Sequence, residues 1–137
     1  MATAQGAAPH TRALCVPVNA TGVGQDLGGG KTQATISSHG LVVGRTTASF
    51  TINQVVGTTA SFTGPIVFTS ALGTLTAQVA GTFDVASGAF QATSTSITGT
   101  GLLRGVSGSV TLAGLEDLAT FGFTETINGR LCLGTRG

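Results

Sequence analysis

Glu125 is the side chain of greatest chemical interest in this chain. It stands at a spacing of two with Phe121, Phe123 and Ile127, so on a β-strand it shares an apolar face with them. If that face looks into an enclosed interior, desolvation raises the carboxyl pKa and suits the group to general acid–base work. If the face looks outward, or if an arginine meets it near a rim, Glu125 is an ordinary charge. Arg45 poses the same question. It is in phase with Leu41 and Val43, and an inward guanidinium would steady a developing oxyanion or enolate. Outward, Arg45 is a surface or subunit-interface charge, and an Arg45–Glu125 pair would be a structural ion pair. Asp26 falls in the glycine-rich run Thr21–Gly30. That run reads as a loop at a barrel mouth, with Asp26 and Gln25 lining the opening; the alternative is a solvated loop carboxylate.

The other polar residues point to less. His10 and His39 have no partners at metal-ligand spacing, so no metal site is expected. Glu116-Asp117 reads as a polar turn, and Arg104 as a rim or subunit contact. No Gly-x-Ser-x-Gly elbow is present. Lys31-Thr32 follows three glycines, but no strand leads into a helix there at phosphate-loop spacing.

These residues need strands to hold them, and the composition supplies strand formers. Of 137 residues, only 8% are charged and 41% are hydrophobic, and the net charge is +1. Such a chain is long enough for one domain with its own core. The charge balance offers no electrostatic basis for binding nucleic acid, and no apolar run is long enough for a membrane-spanning helix. Residues 1–10 read as a flexible leader without an apolar signal core, either the start of a mature chain with Met1 supplied ahead of it or an ordinary flexible cytoplasmic terminus. Residues 11–137 form the single domain.

Period-two alternation and glycine punctuation place strands at 12–18, 31–38, 41–53, 58–70, 74–85, 89–98, 106–113 and 118–127. A short ninth, 130–133, follows the hairpin dipeptide Asn128-Gly129. Pro17 marks an edge, a bulge or a strand end. The clearest alternation runs through Leu75, Ala77, Val79, Gly81, Phe83 and Val85. Thr46–Thr51 recurs as Thr58–Thr63 twelve residues later, which reads as two similar neighbouring strands. Gly99, Gly101, Gly105 and Gly108 mark a positive φ or a close backbone approach between two strands. Eight or nine short antiparallel strands make a barrel or a sandwich. In a closed barrel the first and last strands can be neighbours, which would bring Cys15 and Cys132 together as a disulfide; the alternative is two buried free thiols.

The run from Ala60 to Ile127 resembles the allene oxide cyclase and dirigent-like barrel superfamily. Ala60-Ser61-Phe62-Thr63, Ile66-Val67-Phe68 and Gly73–Gly81 follow in the expected order. Thr98-Gly99-Thr100-Gly101-Leu102-Leu103-Arg104-Gly105-Val106-Ser107-Gly108 then resembles the superfamily's Gly-(Thr/Ser)-Gly-x-Phe-x-Gly-x-x-Gly signature, with Leu103 where the family usually has Phe. The resemblance implies an all-β, eight-stranded antiparallel up-and-down barrel with an internal cavity, commonly a homotrimer. It also implies a mode of action in which an apolar cavity holds a reactive intermediate and steers its cyclisation.

Two functions are therefore expected to compete. One is a cofactor-free cyclase or isomerase acting on a hydrophobic oxygenated metabolite, with Glu125 and Arg45 as its catalytic groups. The other is a secreted, non-catalytic barrel that binds a small hydrophobic ligand or serves as an interaction module. In either, Phe50, Phe62, Phe68, Phe83, Phe121, Phe123 and Asp26 are the candidate binding residues. The scarcity of charge favours a secreted or extracellular location over a cytoplasmic one.

Overall fold

The computed structural model describes residues 14–38 and 40–134. The leader 1–10 with His10, the start of the first expected strand at Arg12, and His39 lie outside them.

Nine strands form one antiparallel sheet. They are β1 (Leu14–Gly28), β2 (Lys31–Ser37), β3 (Gly44–Ser49), β4 (Thr51–Val56), β5 (Thr59–Ser70), β6 (Gly73–Asp84), β7 (Ala89–Gly99), β8 (Ser107–Glu116) and β9 (Gly122–Leu133), with one 3-10 turn at Gly101–Leu103. Every strand pairs with its sequence neighbour except across the β3–β4 break, where β3 pairs with β5 directly, and β1 pairs with β9. Eight strands thus close into an up-and-down barrel, and β4 is an extra strand carried on the first half of β5. Closure removes most of the free edges that an open sheet would leave; those that remain are Leu14–Ala20 and the outer side of β4.

Alternation decides which residues fill the interior. Val18, Ala20, Ala34, Ile36, Ala48, Phe62, Phe68, Leu75, Val79, Val110, Leu112, Ile127 and Leu131 are all buried, whereas the outer face is mostly threonine, serine and glutamine. One end is plugged: Leu103 from the 3-10 turn and Val42 from the β2–β3 loop are almost fully buried beside Leu75 and Leu131. The glycines expected to be special there are so. Gly101, Gly105 and Gly108 have positive φ, and a side chain at Gly99 would strike the Leu103 carbonyl.

Cys15 and Cys132 form a disulfide. They face each other in the β1–β9 register, so the bond ties the first strand to the last. It matters most locally, because β2 reaches along β1 only from Thr21. Leu14–Ala20 therefore pair with β9 alone, and Pro17, which has no N–H to donate, sits on this edge.

The structure corrects four boundaries. Thr21–Gly30 is not a loop: β1 runs on to Gly28, and only the Gly28–Gly30 turn interrupts it. Gly22 and Gly24 serve as floor tiles, since a Cβ at Gly22 would lie 2.6 Å from Glu125 Oε2 and 2.7 Å from Ile36 Cδ1. Asn128-Gly129 is no hairpin either. Both residues lie inside β9, in unbroken register with β1 and β8, so 130–133 is the end of β9. The expected strand 41–53 starts instead at Gly44 and breaks at Phe50, whose N–H is drawn aside to the Gly30 carbonyl at 2.7 Å. Phe121 lies before β9 in the β8–β9 loop. There Asp117 accepts hydrogen bonds from the Ala119 and Thr120 amides, and Phe121 takes φ 67°.

A side chain in that left-handed conformation costs roughly 1–2 kcal/mol, and Phe121 is half exposed. Replacing Phe121 with Gly is expected to raise stability by ~0.5–1 kcal/mol, after allowing for the extra freedom of glycine in the unfolded chain. Urea denaturation would check it; a clear loss would show that the Phe121 ring contributes packing.

Candidate functional site

The second end of the barrel is open. Leu112 of β8, Ala92 of β7, Ile66 of β5 and Thr46 of β3 stop short of the mouth and enclose a pocket of about 420 Å³. This lies within the ~300–1,000 Å³ common for small-molecule sites. Small inward residues, Ala48, Ala60, Ala92 and the glycines of β1, create the space. Phe50, Phe62, Phe83, Phe90 and Phe123 line it. The repeated Thr-Thr-Ala-Ser-Phe-Thr segments have a direct role here: their two phenylalanines, Phe50 and Phe62, meet with ring centroids 4.9 Å apart. Phe90 and Phe123 meet edge to face at 5.8 Å. At the mouth, β4 extends the wall with Ile52 and Val55, and the Gly28–Gly30 turn and Val85 also line the opening.

Glu125 does face inward. On β9 the inward order from the mouth is Phe123, Glu125, Ile127, and Ile127 is fully buried, so Glu125 forms the pocket floor on this strand. It is 9% exposed, and its carboxyl has no hydrogen-bond partner among the described residues. Burial pushes its pKa up from 4.5 to about 7. Its register partners are Gly22 on β1 and Gly114 on β8, which leave the space that its side chain takes.

A carboxyl pair sits at the rim. Glu116 ends β8 and is buried, and Asp26, near the end of β1, also lines the pocket. Burial, followed by the charge of Asp26 and a hydrogen bond to it, raises Glu116 to about 7. Asp26 is held in place by the Gly28 amide, which donates to its Oδ1 at 2.8 Å. The polar turn expected at Glu116-Asp117 is therefore only half right: Asp117 is exposed in the loop, while Glu116 belongs to the pocket. Its phase with Val110, Leu112 and Gly114 was the signal for this.

The remaining expected site residues divide. Phe50, Phe62, Phe83, Phe123 and Asp26 line the pocket. Phe68 is buried in the plugged half and does not. Phe121 is half exposed and outside it. Arg45 is exposed on the outer face of β3, between Thr35 and Thr69 of the adjacent strands. It neither reaches the pocket nor pairs with Glu125. Leu41 and Val43, which suggested an inward face, lie in the loop before β3, whereas Val42, Thr46 and Ala48 carry the inward phase. Phe90, Thr46 and Glu116 join the site unforeseen.

No family model, curated protein or solved structure gives a significant match to this chain, so the functional reading rests on the pocket itself.

Proposed function

We propose that the protein is a small-molecule-binding barrel whose open end takes one apolar ligand with a polar group directed at Glu125. The observation that carries this is the pocket: aromatic and aliphatic walls around a single buried, unpartnered carboxyl at the floor. Burial of apolar ligand surface supplies the driving force, and a hydroxyl or amine at the floor would satisfy a carboxyl that otherwise lacks a partner. The disulfide fits an oxidising environment, and we place the protein outside the cytoplasm, as a secreted protein.

The neutral fluorophore N-phenyl-1-naphthylamine tests the pocket. It is expected to bind one per chain with a fluorescence gain. Ala60→Phe, which fills the lining beside Phe62, should weaken binding by about tenfold or more while the fold, judged by circular dichroism, is kept. Equal binding by the variant would place the dye elsewhere.

A second reading has one observation in its favour. A carboxyl poised near pH 7 can take and return a proton at working pH. In a cavity that restrains its substrate, that would support a cofactor-free isomerase or cyclase of the kind the sequence resemblance implies, with Glu125 as its one acid–base group. Arg45 has no part in it.

A further inference from the structure

Charge is rare in this protein, yet its acids are concentrated at one place. The chain has five Asp and Glu residues, and three of them, Asp26, Glu116 and Glu125, line the pocket, whereas among the described residues no Lys, Arg or His does. The charged groups that share the pocket with Glu125 are, among the described residues, both acidic, Asp26 from β1 and Glu116 from β8, and Thr32 of β2 and Thr46 of β3 also line it. Lys31, at the start of β2, is exposed.

We propose that the ligand is a hydrophobic amine that enters as its cation, with the ammonium group on Glu125 and the apolar body among the phenylalanines. This rests on the pocket reading above and names its ligand class. Three features support it. Glu125 is nine-tenths buried, has no side-chain partner among the described residues, and lies at the floor, so a donor that reaches it makes a charge-assisted hydrogen bond in a poorly solvated site. The Asp26–Glu116 pair retains negative charge at the mouth, favouring cations and repelling carboxylates. Five phenylalanines line the way in, and an aromatic ring tolerates a passing cation better than an aliphatic wall does. Binding would ionise Glu125: the ammonium keeps its proton, and the carboxyl releases its own to solvent.

Decylamine, decanol and decanoate have the same chain and differ in the head group, so calorimetric titration of all three at pH 7 is decisive. Decylamine is expected to bind about tenfold or more tightly than decanol, with decanoate weakest, and Glu125→Gln should erase that preference. If decanol or decanoate binds the native protein as tightly as decylamine, the cation assignment falls and the apolar pocket stands. If none of the three binds, both fall. Proton release provides a readout that needs no variant. At pH 6, decylamine binding in two buffers of different ionisation enthalpy should show net proton release, about half a proton for a one-unit fall in the Glu125 midpoint and more for a larger fall; none released would overturn the ion pair even if Glu125→Gln fails to fold.

Discussion

Converting Cys15 and Cys132 together to serine is expected to destabilise the protein by ~4–5 kcal/mol, the chain-entropy value for a loop of this length. The bond spans 117 residues, nearly the whole described chain, so its loss frees the unfolded ensemble more than almost any other crosslink could. The folded state suffers too. Leu14–Ala20 have only β9 as a partner, and without the bond this stretch is the natural place for the barrel to fray. The melting temperature should fall by roughly 15–20 °C, and hydrogen exchange should rise first along Leu14–Ala20 and the facing end of β9. Thermal melts of the native and doubly substituted proteins that agree within a degree or two would show that the barrel closes without the bond.

The second large effect concerns Glu125 and pH. Its folded pKa of about 7 lies above the usual 4.5, so between these values the folded protein binds more protons than the unfolded chain. Stability is then highest below pH 4.5 as far as this group is concerned, and falls as pH rises toward 7. The shift corresponds to about 3 kcal/mol across that window. Glu116, raised to about 7 in the same direction, deepens the slope. Glu125→Gln removes the charge while keeping the shape. It is expected to resemble the native protein at pH 4 and to exceed it by ~2–3 kcal/mol at pH 8, with the shallower residual slope belonging to Glu116. Urea denaturation at pH 4, 6 and 8 checks this. Parallel curves for the two proteins would mean that Glu125 is as well solvated folded as unfolded. A group that costs stability at neutral pH and has no internal partner is one expected at a binding site rather than in a scaffold.

The architecture was legible because alternation was. Leu75, Ala77, Val79, Gly81 and Phe83 identify β6, with Val85 of the same phase falling just past its end, and Phe123, Glu125 and Ile127 read inward for the same reason. Two of the errors share one physical cause: glycine serves two purposes, and sequence alone does not separate them. In Gly28–Gly30 and Gly101 it turns the chain. In Gly22, Gly24 and Gly129 it lies flat within a strand and lets a neighbour cross, so the β1 run read as a loop and Asn128-Gly129 as a hairpin. The break at Phe50 carries no glycine or proline, and arises from a backbone bond to Gly30 that is only visible once β2 and β3 are paired. Phase failed for Arg45 because Leu41 and Val43 lie outside the strand. For Glu116 it was available, but the adjoining Asp117 suggested a turn. Phe121 was read into β9, but the loop built on Asp117 holds it outside. The cysteine pair was left between bridge and free thiols until strand order placed the two cysteines opposite each other.

The central claim is that Glu125 is a desolvated acid at the floor of a pocket a ligand can reach. Carbon-13 NMR titration of its side-chain carboxyl, assigned by comparison with Glu125→Gln, tests this most directly when run with and without saturating decylamine. The midpoint is expected near 7 in the free protein, moving down by at least a unit when the amine is bound, about the size of one charge-assisted contact in a buried site. A midpoint near 4.5 that the amine leaves unchanged would contradict it, placing Glu125 in water and the ligand, if any, elsewhere.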